Sequence, residues 1–407
     1  MPEPVVNPFL LTHFTATSCA GRGLDATRAA LVEGRGGLAP CDFDGADLNT
    51  YTGRVAGIED EPVRADLSAF DCRNNRLAQI ALTQDGFDAR VRDAIARVGA
   101  ARVGVFMGTS TAGILDTELA YQRRDPLTGA LPADFNYAAT HNPFSLAAFV
   151  RAYSGVRGPA VSVSSACSSG AKVFGSARRM LETGLIDVAV VGGVDTLCLT
   201  TLYGFNSLEL LAPGPCRPFD LHRNGINIGE AAAFGLLERD TPEAGAQAIR
   251  FLGIGETSDA HHMSSPHPEG LGARMAMEQA LLSAGLDARE IGYVNLHGTA
   301  TPSNDAAESL ALNSVFDRVP CSSTKGATGH TLGAAGALEA VIAALTLRHQ
   351  MIPAGANTTE PDPALGLDYV TTTRHTPLRA VLSNSFGFGG TNCSLVFGLG
   401  AREGASA

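Results

Sequence analysis

Short apolar runs alternate with longer amphipathic stretches along this chain. Residues 4–12 (P-V-V-N-P-F-L-L-T), 102–107 (R-V-G-V-F-M), 161–163, 187–191 (D-V-A-V-V), 232–238, 249–254 and 293–296 have the length and apolar content of buried strands. Between them, Leu24–Glu33, Leu77–Gln84, Ala89–Val98, Phe144–Tyr153, Gly170–Leu181, Gly272–Ala284 and Gly333–Leu347 suit helices. Strands alternating with helices predict an α/β fold whose sheet is extensively covered. Residues 121–143 break the pattern: polar, with several prolines, they predict an excursion near an opening or a partner surface. The most apolar stretch, Leu332 to Leu347, contains Glu339, which predicts a buried helix and no membrane span.

Around Ala244 the pattern restarts. Ser164-Ser165-Ala166-Cys167 before one helix has a loose counterpart in Ser322-Ser323-Thr324-Lys325 before another. The expected organisation is two alike halves, residues 1–244 and 245–407, whose strand ends face one shared site. A chain of 407 residues with 45% hydrophobic and 17% charged residues can bury a large core, and no linker-like composition interrupts it.

The net charge of −11 argues against general nucleic-acid binding, which needs a basic surface to neutralise phosphates. An acidic partner would have to meet a local basic patch. Arg73 with Arg76, Arg123 with Arg124 and Arg178 with Arg179 are the candidates, against the plainer reading of solvated surface charges. Eight cysteines without a C-x-x-C pair, and no basic segment followed by an apolar core near residue 1, lead us to expect a reduced, cytoplasmic setting.

The candidate chemistry starts at V-S-V-S-S-A-C-S-S-G, residues 161–170. Cys167 falls where a strand turns into a helix, and the unpaired N–H groups of a helix N-terminus bias a thiol there toward thiolate. Taken alone it reads more readily as a buried structural cysteine, and the later motifs reverse that reading. Three further stretches follow strands or turns: N-L-H-G-T-A-T-P-S-N-D holds His297, C-S-S-T-K-G-A-T-G-H-T-L-G-A-A-G holds Lys325 and His330, and L-S-N-S-F-G-F-G-G-T-N supplies glycines that let backbone approach a ligand or simply turn a tight hairpin. A thiolate can accept an acyl group, and imidazoles can donate to a developing oxyanion. No G-x-x-x-x-G-K-[ST] or strand-borne G-x-G-x-x-G supports nucleotide binding, and His261, His262 and His267 lack the spacing of a zinc site, so no metal is expected.

Together these four motifs, in this order from about Val103 to Phe397, resemble the β-ketoacyl synthases, in particular the elongating Cys-His-His condensing enzymes of fatty-acid and polyketide assembly. The resemblance implies the thiolase fold, duplicated α/β halves in a five-layered αβαβα sandwich. It implies a decarboxylative Claisen condensation, in which an acyl chain on Cys167 is joined to malonyl-acyl carrier protein to give a 3-ketoacyl chain. The expected partners are acyl carrier protein and a second copy of the chain, or a different synthase-like chain in a heterodimer. No cofactor is implied, because the substrates ride on the carrier's phosphopantetheine.

By the same resemblance, Cys167 is the nucleophile and the N–H groups of Cys167 and Phe388 form an oxyanion hole. His297 and His330 bind the malonyl thioester oxygen, and Lys325 and Glu339 form a charged pair behind them. Phe386 and Phe388 gate the nucleophile; Thr299, Thr301 and Ser264 lie along the pantetheine; Phe205 and Thr109 belong to the acyl pocket. The chain departs from the usual motifs at Thr12–Gly21 and at R-N-G-I-N-I-G-E-A, and has Glu209 where some relatives place a basic carrier contact. The alternative is a non-catalytic chain-length partner subunit, against which the retention of Cys167, His297 and His330 weighs. A thiolase, with a second cysteine and a single histidine, fits less well.

Overall fold

The computed structural model describes residues 8–400. In chain order the first half contains β1 (Phe9–Ser18), α1 (Gly23–Glu33), α2 (Arg73–Leu82), α3 (Phe87–Val98), β2 (Val103–Gly108), α4 (Ile114–Gln122), α5 (Phe144–Ser154), β3 (Ala160–Val163), α6 (Ser169–Glu182), β4 (Val188–Asp195), α7 (Leu199–Ser207) and β5 (Ala231–Arg239). The second contains β6 (Ile249–Ser258), α8 (Leu271–Ala284), β7 (Ile291–Asn295), α9 (Pro302–Val315), β8 (Pro320–Ser322), α10 (Lys325–Thr328), α11 (Ala335–His349), β9 (Ala380–Gly387) and β10 (Thr391–Leu399).

The strand order is β3-β2-β4-β5-β1 in the first half and β8-β7-β9-β10-β6 in the second. In both, the first three strands of that order run parallel and the fourth is antiparallel to its two neighbours. The two sheets meet where β1 pairs with β6, Phe9 opposite Phe251 and Leu10 opposite Arg250. The same topology is thus used twice.

Side-chain alternation divides the interior into layers. On β2, Val105 and Met107 face an outer cluster with Leu77 and Ile80 of α2, Val91 of α3 and Phe149 of α5. Phe106, between them, points the other way, into the central cluster with Phe174 of α6 and Leu338 and Val341 of α11. On β10, Leu395 and Phe397 enter that same central cluster, whereas Val396 faces α8 and α9 with Met277, Leu281 and Leu312. Helices, sheet, the α6–α11 pair, sheet, helices: the chain has the five-layered thiolase fold.

The central layer is tight because its contact faces are small. A Cβ on Gly170 would lie 2.7 Å from the Ala337 nitrogen, and one on Gly336 would lie 2.5 Å from the Ala171 nitrogen. Phe174 of α6 packs on Phe251 and Phe397 of the second sheet at 5.5 and 5.7 Å between ring centres. The apolar stretch ending in α11 passes a length-and-hydropathy test for a membrane span, yet Leu332–His349 is 89% buried within the fold. It is a core helix.

Several sequence expectations need correction. The first strand starts at Phe9 and runs on through Thr12–Ser18, a mostly polar stretch that is largely buried and pairs with β5; residues 4–7 lie outside the described residues. β4 continues past Val191 through G-G-V-D to Asp195. The helix expected at Gly333 opens as a 3-10 turn, Leu332–Ala334, before α11. The arginine doublets are not free basic patches, because each contains ion-paired members: Arg73 with Glu230 and Glu59, Arg76 with Asp71, Arg123 with Asp134, Arg178 with Glu182 and Arg179 with Glu256.

Candidate active site

The strand ends of both halves converge on Cys167. β3 stops at Val163 and α6 starts at Ser169, and the five residues between make a sharp turn. Ala166 takes φ +52°, a left-handed conformation that costs a residue with a Cβ about 1 kcal/mol or more. Its carbonyl is held by the Ser169 N–H and by the hydroxyls of Ser110 and Ser169, which offset that strain.

His297 and His330 arrive from the other half, one after β7 and the other after α10. His330 Nε2 lies 3.0 Å from Cys167 Sγ, and the two imidazoles stand edge to face at 5.4 Å. Behind them Lys325 Nζ donates to the His297 carbonyl at 2.6 Å and to Glu339 Oε1, and lies 3.4 Å from His297 Nδ1. An ammonium has only donors, so His297 Nδ1 is the acceptor and its Nε2 carries the proton.

Electrostatics keep this cluster mostly uncharged apart from the lysine pair. Burial, then the Lys325 charge, hold both imidazoles well below the usual histidine range, with His330 adding to the effect at His297. Burial pushes Glu339 up to about 7 against the pull of Lys325. The thiol corrects an expectation. Position at a helix N-terminus suggested a thiolate, but complete burial pushes Cys167 up to about 11, with Lys325 and the Phe388 N–H pulling only part of the way back. Desolvation outweighs the local dipole here.

Glu308 is a member that sequence reasoning missed. Its carboxylate accepts the backbone N–H groups of His297 and Gly298, both at 2.8 Å, and Asn384 Nδ2 at 3.2 Å, and burial pushes it up to about 7. Asp305, one turn earlier on α9, accepts from Phe219, Thr299 and Ala300. The signal was present in T-P-S-N-D-A-A-E: a Thr301 N-cap and Pro302 at the first helical position start α9, which places Asp305 and Glu308 on one face under the His297 loop.

A narrow cavity leads to Cys167, His297 and His330. Thr299, Thr301 and Ser264 line it, and Phe205, Phe386 and Phe388 close its apolar side. The Phe388 ring rests on Phe205 at 5.5 Å and Phe386 on His297 at 5.8 Å. The G-F-G-G segment is a tight β9–β10 hairpin and also an approach to the nucleophile: a Cβ on Gly387 would sit 3.2 Å from the Cys167 nitrogen. Lys325 and Glu339 sit behind the histidines, away from the lining. Thr109 does not line the cavity; it is fully buried and its hydroxyl donates to Asp195 at 2.7 Å, because a buried carboxylate without a cation gathers every nearby donor.

Comparison with known proteins gives a consistent set of relatives. Residues 12–243 match the model of the beta-ketoacyl synthase N-terminal domain and residues 249–359 that of the C-terminal domain. The chain is 31% identical to a 3-oxoacyl-[acyl-carrier-protein] synthase 2 of Vibrio cholerae over 95% of its own length and 98% of the relative's. Among solved structures, a chain of the ketosynthase and chain length factor complex from Xenorhabdus doucetiae superposes with a TM-score of 0.86 at 38% identity, covering 98% of this chain and all of that one. A beta-ketoacyl synthase from Burkholderia phymatum gives 0.85 at 31% identity, covering 97% of this chain and all of that one.

Proposed function

The chain belongs to the β-ketoacyl synthase family, and from that premise we propose how its own residues divide the work of condensing an acyl chain with malonyl-acyl carrier protein. One observation carries the assignment: Cys167 Sγ, His330 Nε2 and the His297 ring meet at the base of one cavity.

In the first half-reaction Cys167 Sγ attacks the acyl thioester while its proton passes to the departing carrier sulfur, and the neutral His330, 3.0 Å away, keeps its own proton on Nε2. The oxyanion formed there meets the N–H groups of Cys167 and Phe388. The carrier thiol leaves with a proton. In the second, the malonyl thioester oxygen takes hydrogen bonds from His297 and His330, carbon dioxide departs, and the enolate carbon attacks the Cys167 thioester. The 3-ketoacyl chain forms and the cysteine sulfur is released to recover its proton. Binding that strengthens as the enolate charge grows is what lowers the barrier.

Lys325 holds the His297 carbonyl and Nδ1, which keeps the Nε2 proton aimed at the cavity. Its pairing with Glu339 makes a buried ammonium tolerable. Thr299, Thr301 and Ser264 are placed for the pantetheine amides, and Phe205 with Phe388 for the first carbons of the acyl chain. The reading calls for no cofactor, and for a cytoplasmic carrier protein.

For partners, the free edge of β3 supports pairing with a second synthase-like chain, identical or not. Among the described residues β3 pairs only with β2. Beside it an open groove runs along α5, rimmed by the exposed Phe144 side chain.

The test is intact-mass detection of acyl transfer from carriers loaded with a range of chains, to the wild type and to Cys167→Ala, followed by malonyl carrier. Gain of an acyl mass by the wild type alone, then release of a 3-ketoacyl product, is the expected result. A folded, assembled wild type that loads no chain sinks the catalytic reading in favour of a partner subunit.

A further inference from the structure

We propose that Asn227 is a positioning residue for this reaction, holding in place the α10 turn that carries both Lys325 and His330. The inference rests on the functional reading above.

A catalytic imidazole is ordinarily oriented by a hydrogen bond to its second nitrogen. Here Nδ1 of His330 is buried and no group among the described residues bonds it, so the placement of its backbone does much of the orienting. That backbone is clamped on both sides by one segment: His330 N–H donates to the Asn227 carbonyl at 2.7 Å, and Gly229 N–H donates to the His330 carbonyl at 3.0 Å. Only glycine permits the approach, since a Cβ on Gly229 would lie 2.1 Å from the Thr328 carbonyl oxygen.

The Asn227 side chain extends the clamp to Lys325. It is fully buried, and its Oδ1 accepts the Cys216 N–H at 2.6 Å. Cys216 Sγ in turn donates to the Lys325 carbonyl at 3.3 Å, so the start of the turn hangs from the same asparagine as its end. The amide is itself held by donating to the carbonyls of Ala212 and Gly214 at 3.3 and 3.2 Å. No apolar residue can replace it without leaving buried N–H and C=O groups unpaired. Nothing in this arrangement touches substrate; it sets the 3.0 Å between His330 Nε2 and Cys167 Sγ.

Asn227→Ala in the full-length, assembled protein tests the proposal, read by kcat and KM for malonyl carrier and by the pH profile of Cys167 alkylation with iodoacetamide. We expect kcat to fall about 10–100-fold with KM within about twofold, since a displacement of about 1 Å at a reacting pair has that effect. The alkylation profile should move up by about half a pH unit as Lys325 and His330 loosen around the thiol. A folded variant with wild-type kcat and an unmoved profile overturns the proposal, as does a rise in KM at constant kcat. Should Asn227→Ala fail to fold, Cys216→Ala removes only the link to Lys325. A fall in kcat of about threefold or more at constant KM supports the proposal, and a wild-type kcat overturns it. A wild type that alkylates at Cys167 but condenses nothing counts against the functional reading, and the alkylation shift then decides this inference alone.

Discussion

His330 Nε2 and Cys167 Sγ, 163 residues apart in the chain, face each other at 3.0 Å as two groups that are both uncharged at rest. Burial and Lys325 keep the imidazole from taking a proton, and burial keeps the thiol from losing one. The nucleophile is therefore generated as the thioester arrives, and is not stored beforehand.

That relationship sets a pH dependence. With Cys167 pushed up to about 11, its thiolate fraction in the substrate-free protein rises about tenfold per pH unit between pH 7 and 9. Iodoacetamide alkylation followed by intact mass should rise in step. A rate already level below pH 8 would show a preformed thiolate and refute the account.

The same physics predicts loss of stability in base. Burial pushes Cys19, Cys72, Cys198 and Cys216 up to about 12, as it pushes Cys167 to about 11. Above about pH 9 the unfolded chain releases thiol protons that the folded chain keeps. The folded state then binds more protons, so stability falls as pH rises, by about 1.4 kcal/mol per thiol per pH unit up to the folded values. Thermal melts at pH 8, 9 and 10 should show Tm falling ever more steeply, and Cys72→Ala should lessen the slope. A Tm level to pH 10 would contradict the assignment.

Removing one partner of the Lys325–Glu339 pair is expected to cost more than removing both. Glu339→Ala leaves a buried ammonium without its carboxylate, a loss of about 3–5 kcal/mol. Lys325→Met with Glu339→Leu should recover most of the lost Tm while staying inactive, because His297 then has nothing at Nδ1. Equal melting of the single and double variants would show that the pair contributes no stability of this kind.

Much of the site was legible in the sequence because its chemistry sits in contiguous runs. Cys167, His297, Lys325 and His330 each follow a strand or turn among small residues, a pattern that shows along the chain. Glu308 and Asn227 were not singled out: each is recognised by the backbone groups it satisfies, and those come from segments that only folding brings together. Thr109 was assigned to the acyl pocket by resemblance alone, and its bond to Asp195 comes from a residue far along the chain that no local pattern reveals. For the arginine doublets the chain left a docking patch and ordinary surface charge both open, because acidic partners such as Glu230 and Glu256 lie far away in sequence. Burial also hid the far end of β1, whose threonines and serine read as a loop and lie inside the sheet.

Access to the thiol should depend on Phe388. Its ring leans on Phe205 over the approach to Cys167, which is 6% exposed. Phe388→Ala is expected to speed alkylation by a bulky maleimide severalfold and to change the iodoacetamide rate less, with little change in Tm. Equal acceleration of both reagents would mean that the ring affects reactivity and not passage.

The glycine-to-alanine contact of α6 against α11 has a bearing on what kind of object this molecule is. Gly170 and Gly336 bring main chain against main chain, and Phe174 of one half lies on Phe251 and Phe397 of the other. Neither half owns a finished interior: each would turn the inner side of its sheet and a bare helix toward water if the other were absent. Two copies of one topology have become a single cooperative unit. Excision of either half should yield an aggregating fragment and not a smaller stable protein, so the nucleophile and its two histidines are inherited, lost and engineered together.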